Sequence, residues 1–163
     1  IFTKLKNILM RKLKLVQLGN FSASFFFFFI LINGCSGTKP TSIGQFINCP
    51  DKPNCISSKS STSLHVSPPV KYQGTASKAK KDLLKVIKSM PRAKISENNT
   101  NFLHVEFTSK IFRFVDDVEF YFDLPKVIHF RSASRIGHSD MGVNRDRMEE
   151  IKRLFIQVSK ENK

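Results

Sequence analysis

Between Phe102 and Ala133 the chain alternates apolar and polar residues almost without interruption, and this narrows its folding options more than any other feature. Leu103, Val105 and Phe107 share one parity. Phe112, Phe114, Val118, Phe120 and Phe122 share another, and Ile128 and Phe130 a third. A period of two is the mark of strands with one covered face. The spacing predicts a short strand over 93–96, then strands over 102–108, 112–123 and 127–133, with turns at 97–100 and 124–126. Strands this close in sequence pair as an antiparallel meander.

The apolar face of such a sheet needs a cover, and two segments supply one. Ala76, Ala79, Leu83, Val86, Ile87 and Met90 recur at helical spacing, with Thr75 as the expected N-cap and Pro91 as the stop. Met148, Ile151, Leu154, Phe155 and Val158 form a second stripe over 144–159, with Asn144 expected at its cap. The expected fold is therefore α+β, a small antiparallel sheet of about four strands covered on one face by two helices.

The first 34 residues read differently. From Met10, a plausible natural start, a basic stretch leads into an apolar run, Phe21 to Ile32, and then to small residues. This is the three-part pattern of an export signal. The run is about half the ~20 residues that a bilayer span requires. Leu31-Ile32-Asn33-Gly34-Cys35 resembles the lipobox of bacterial lipoproteins, with the less usual Asn33 before Gly34. The resemblance implies thioether lipidation of the Cys35 sulfur and then cleavage before it, so the expected address is the bacterial cell envelope and the expected partner a membrane held through that lipid. Ser36 after the cysteine resembles the outer-membrane sorting class, facing the periplasm, if the cell is Gram-negative.

Charge and cysteines fit export. The five basic residues of residues 1–34 have no acid beside them, and without them 22 basic residues face 13 acidic ones, a net +9. An exported basic domain meets anionic envelope lipid or glycan, not nucleic acid. A solvated basic surface with no specific partner fits the same numbers. Cys49 and Cys55 bracket the turn-prone Pro50-Asp51-Lys52-Pro53-Asn54. Outside the cytosol such a pair is expected to be a disulfide. Free thiols and a reactive pair are the alternatives, but the spacing is not C-x-x-C. Residues 35–64 are expected to hold the lipidated cysteine, a polar tether and the cysteine loop, and residues 65–163 the folded domain.

Cys49 to Ser58, Phe114 to Phe120 and Arg131 to Arg145, in that order, resemble the uncharacterised family called domain of unknown function 1499, from about residue 48 to the C-terminus. His138 stands where the family pattern leads one to expect Tyr. The resemblance implies that the three segments share one domain, and brings no activity with it.

Strand parity singles out Asp116. It falls among phenylalanines on the apolar face, where a lone carboxylate is costly, whereas Asp117 is expected to face solvent with Arg113 and Glu119. Arg131, Ser132, Ser134, Arg135, His138, Asp140 and the cap at Asn144 follow in the next strand and turn. Together with Asp116 they could cradle a phosphate, carboxylate or sugar. They equally fit a structural role, with Asp116 paired to Arg131 or Arg135 and the hydroxyls and acids building turns. Ser134, His138 and Asp140 include triad residue types, but they crowd into one loop and no Gly-x-Ser-x-Gly elbow is present. The sequence points to no cofactor and no metal site. The expected function is a binding or structural module, with an envelope hydrolase using the region from Asp116 to Asp140 as the alternative.

Overall fold

A computed structural model describes residues 37–161 of the chain. The export signal expected over 1–34 and the lipidation expected at Cys35 fall outside the described residues. Six strands form one sheet: β1 (Cys55–Ser57), β2 (Val70–Lys71), β3 (Ala93–Asn99), β4 (Phe102–Thr108), β5 (Val115–Leu124) and β6 (Val127–Ser134). Among the described residues two helices complete the fold, α1 (Ala76–Ser89) and α2 (Val143–Glu161). The strand order is β1-β6-β5-β4-β3, with β2 also paired to β6, and every ladder is antiparallel. The α+β class and the two covering helices agree with the sequence reading, but the sheet has six strands where about four were expected.

The helices begin and end for local reasons. Thr75 caps α1 and accepts a hydrogen bond from the Lys78 N–H at 3.2 Å. Met90 turns extended before Pro91, whose ring crowds a helical predecessor. Leu83, Val86 and Ile87 of α1 and Met148, Ile151 and Phe155 of α2 pack on Leu103, Val105, Val118, Phe120, Ile128 and Phe130 of the sheet. Each of these large side chains gains roughly 1.5–3 kcal/mol from burial.

Several elements differ from expectation. β1 and β2 are only three and two residues long, so no periodicity could reveal them, and pairing with β6 is what makes them strands. β3 runs on to Asn99 through an irregularity between Ile95 and Glu97. β5 starts at Val115 because the preceding loop closes on itself: the Ser109 N–H donates to the Phe114 carbonyl at 2.8 Å and the Phe114 N–H to Ser109 Oγ at 2.9 Å. Phe112 and Phe114 are thereby exposed, outside the core parity.

The chain from Gly37 to Phe46, part of the expected polar tether, lies as a strap against the sheet face opposite the helices. The Gly44 N–H donates to Glu119 Oε2 at 2.8 Å and the Phe46 N–H to the Tyr121 hydroxyl at 3.1 Å. Gly37 sits so close to β6 that a Cβ there would meet Arg135 Cβ at 2.8 Å, and its φ of +67° favours glycine as well. Cys49 and Cys55 form a disulfide. Residues 37–161 thus enclose their own core, sheet and disulfide, as a segment that folds alone must.

Candidate functional site

The sheet face away from the helices carries a buried polar network. Alternation in β4 puts His104 and Glu106 on this face, β5 adds Asp117, Glu119 and Tyr121, and β6 adds Arg131. Arg135 follows β6 at the same parity. The register brings unlike charges together. Glu119 stands opposite Arg131, whose Nη1 lies 3.3 Å from Glu119 Oε1. Asp117 takes a bidentate pair from Arg135, Nε to Oδ2 and Nη2 to Oδ1, both at 2.8 Å. The same Nη2 donates to Glu106 Oε1 at 2.7 Å. His104 Nε2 meets Asp117 Oδ1 at 2.8 Å, the diagonal contact of an antiparallel pair. The Tyr121 hydroxyl donates to Glu119.

The titration of these groups follows from that geometry. Burial alone would raise the Asp117 carboxyl, but the hydrogen bonds from Arg135 and His104 outweigh it and hold the group below the usual carboxylate range. Glu106 is lowered in the same way, burial being overcome by Arg135 and Lys94. Burial first, and then the bond to Glu119, push the Tyr121 phenol well above its ordinary value, so it stays a donor. Arg135 is raised by its bonds to Asp117 and Glu106. His104 Nδ1 and Arg131 Nε are buried with no hydrogen-bond partner among the described residues, at a cost of about 1–3 kcal/mol each. Donor atoms of His104, Glu106 and Asp117 converge within 4.8 Å, close enough to hold a metal ion. The Arg135 guanidinium already bridges the two carboxylates there, so an ion would have to displace its three bonds.

A second cluster lies where α2 meets the sheet. Asp116, on the helix-facing side, is paired to Arg147 of α2, which also donates to Asn144 Oδ1 at 2.7 Å and lies over the Phe107 ring at 4.8 Å. Ser132 donates to Asn144 Oδ1, and Asn144 Nδ2 donates to the Asn54 carbonyl at 3.1 Å and to Ser134 Oγ at 3.2 Å. Asp140 accepts from the N–H groups of Gly142 at 3.0 Å and Asn144 at 2.8 Å.

The family described as protein of unknown function (DUF1499) matches residues 45–155. The chain belongs to this family. No curated protein matches the chain, and no solved structure does. The match takes in both polar clusters of this DUF1499 domain and its disulfide, and begins at the end of the strap.

Of the residues singled out in sequence, the fold brings Asp116, Ser132, Ser134, Asp140 and Asn144 to the α2 junction. Arg131 and Arg135 point to the opposite face, and His138 is exposed on the loop after β6. Four expectations are corrected. Asp116 pairs with Arg147 rather than Arg131 or Arg135. Asp117 is 1% exposed rather than solvent-facing, and its expected companion Arg113 sits in an exposed loop. Asn144 lies inside α2 with its side chain buried, and Asp140 does the capping. Sequence reading missed His104, Glu106, Glu119, Tyr121 and Arg147. Arg147 follows Asn144 by three residues and so shares its helix face, a signal that was present. The DUF1499 domain also has a hollow of about 650 Å³ between the start of α1 and the end of α2. Lys71, Lys78, Lys126 and Lys160 rim it, and Tyr72 and Phe155 help to line it.

Proposed function

We propose that this DUF1499 protein is an envelope lipoprotein, held to a membrane through lipid on Cys35, whose domain is a binding or structural module rather than an enzyme. The observation that carries the reading is the lipobox-like Leu31-Ile32-Asn33-Gly34-Cys35 ahead of a domain closed by a Cys49–Cys55 disulfide. Intramolecular disulfides persist in oxidising compartments, which fits export. If the cell is Gram-negative, Ser36 favours the outer membrane, with the domain in the periplasm.

The binding-module reading draws support from how the charges are used. The arginines of both clusters are committed to carboxylates, and Asp116, Arg135 and His138, the residues a hydrolase pocket would need together, lie on two faces and an exposed loop. The lysine-rimmed hollow suits an anionic envelope lipid or glycan by charge. The test is Cys35→Ser in the full chain. The reading expects an uncleaved precursor or a soluble product in place of the lipidated, membrane-bound protein. A variant that still fractionates with membranes at the wild-type mass overturns it.

A further inference from the structure

Among the described residues, the three most exposed large apolar side chains sit at one end of the sheet. Met141 is 94% exposed, Ile111 74% and Phe112 63%. Phe114 and Val143 at the same end are exposed as well. The loop between β4 and β5 is not a loose excursion. Its ends are tied by the two Ser109–Phe114 hydrogen bonds, Arg113 adopts a φ of 59°, and the Phe112 and Phe114 rings stack with centroids 5.5 Å apart. A preset turn therefore presents Ile111 and Phe112 to the outside at little ordering cost.

The surroundings are basic. Lys110 and Arg113 belong to the loop, and no acid does. Arg92 joins them, its Nε donating to the Thr108 carbonyl at 3.0 Å. The chain's route to Cys35 leaves from this same end, because Gly37 packs on Arg135 and Ile136, just past the end of β6. Only Ser36 separates Gly37 from Cys35, a span of at most about 7 Å.

The geometry points to the Ser109–Phe114 loop as a membrane-docking tip, with Met141 exposed at the same end of the domain, seated in the interface of a bilayer that carries anionic lipid. Aromatic and aliphatic side chains enter the headgroup boundary while neighbouring lysine and arginine meet anionic headgroups. A lipid anchor and such a tip act together, and the tip orients the domain, with the lysine-rimmed hollow at the opposite end turned away from the membrane. The inference rests on the anchored-envelope reading for the direction of the membrane, so its test dispenses with the lipid.

The chain contains no tryptophan, which makes a single reporter clean. The fragment 37–163 carrying Phe112→Trp is mixed with phosphatidylglycerol vesicles whose acyl chains are brominated. Leu124→Trp, at the far end of β5, is the comparison. The expected result is a shift of the Phe112→Trp emission to shorter wavelength together with quenching, while Leu124→Trp is unchanged. Ile111→Ser with Arg113→Ser lowers vesicle partitioning by roughly tenfold or more. Both positions are exposed, so folding is retained, and the near-ultraviolet dichroism of the fragment checks it. Unchanged Phe112→Trp emission in excess vesicles, or equal quenching at both reporters, overturns the proposal. Neither result touches the Cys35→Ser experiment, so the anchor and the tip fail separately.

Discussion

On one face of the sheet Leu103, Val118, Phe120 and Phe130 meet two helices. On the other, His104, Asp117, Glu119 and Arg131 meet one another beneath a strap of Gly37–Phe46. The same alternation builds both layers, and both are buried. They are held differently. The apolar face gains from removing hydrocarbon from water, in proportion to area and without regard to direction. The polar face depends on the register that sets Glu119 opposite Arg131 and Asp117 diagonal to His104 and Arg135. A slip of one residue would turn carboxylates into the core and phenylalanines under the strap. Burying ion pairs adds little net stability, because desolvation offsets attraction. The polar layer's contribution is to make one register the acceptable one.

The comparison predicts which carboxylate matters more. Asp117→Ala takes from Arg135 two of its three carboxylate bonds and from His104 its partner at Nε2, and is expected to cost roughly 3–5 kcal/mol in denaturant unfolding, as large as a core truncation such as Phe130→Ala. Asp116→Ala, at the rim of the helix-covered face, leaves Arg147 its bond to Asn144 and is expected to cost about 1–3 kcal/mol. Equal effects at the two aspartates would break the distinction between the faces.

Acid sharpens it. The folded-state pKa of Asp117 lies below its unfolded value. Its contribution is therefore present above the unfolded carboxylate range and is lost as pH falls through the lower, folded value. Glu106 acts in the same direction. Asp117→Asn, compared with wild type across the acid range, should flatten that part of the stability profile, whereas Asp116→Asn leaves the Asp117 contribution to the acid limb in place. An acid limb of unaltered steepness in Asp117→Asn would remove the polar layer from the account.

The smallest effect concerns the cover. Phe46 packs edge-on against Tyr121 with centroids 4.4 Å apart and lies under Lys59. Phe46→Ala is expected to cost about 0.5–1.5 kcal/mol and to speed amide exchange in β5, as hydrogen exchange would report. No change in β5 protection would mean that the strap is not a cover.

Much of the helix-facing side was legible in sequence. Ala79, Leu83, Val86 and Ile87 repeat at helical spacing, Thr75 and Pro91 bound the helix, and Leu103 through Phe107 alternate. The same alternation sets His104 and Glu106 of β4, and Asp117 and Glu119 of β5, off the apolar parity. It could not say that the face is covered, because its cover is a Gly-, Thr- and Pro-containing segment with the composition of a linker. Polarity was therefore read as exposure. Strand parity marks Asp116 as a carboxylate that needs a partner. The partner was misassigned because strand parity cannot see a helix residue, Arg147, arriving from outside the sheet. Phe112 and Phe114 kept the strand's parity but not its structure, since the Ser109–Phe114 closure depends on a side-chain hydroxyl and on a left-handed Arg113 that no period encodes.

The claim that the polar layer is a coupled, register-setting network is tested most directly by a double-mutant cycle on Asp117 and Arg135. Asp117→Ala, Arg135→Ala and the double variant of fragment 37–163 are compared with the parent by denaturant unfolding. The account predicts that the double variant loses less than the two single losses combined, by about 1–3 kcal/mol, because each single change leaves the remaining charge short of bonds that the double change no longer requires. Losses that add to within about 0.5 kcal/mol would show that the two residues are merely neighbours, and would contradict it.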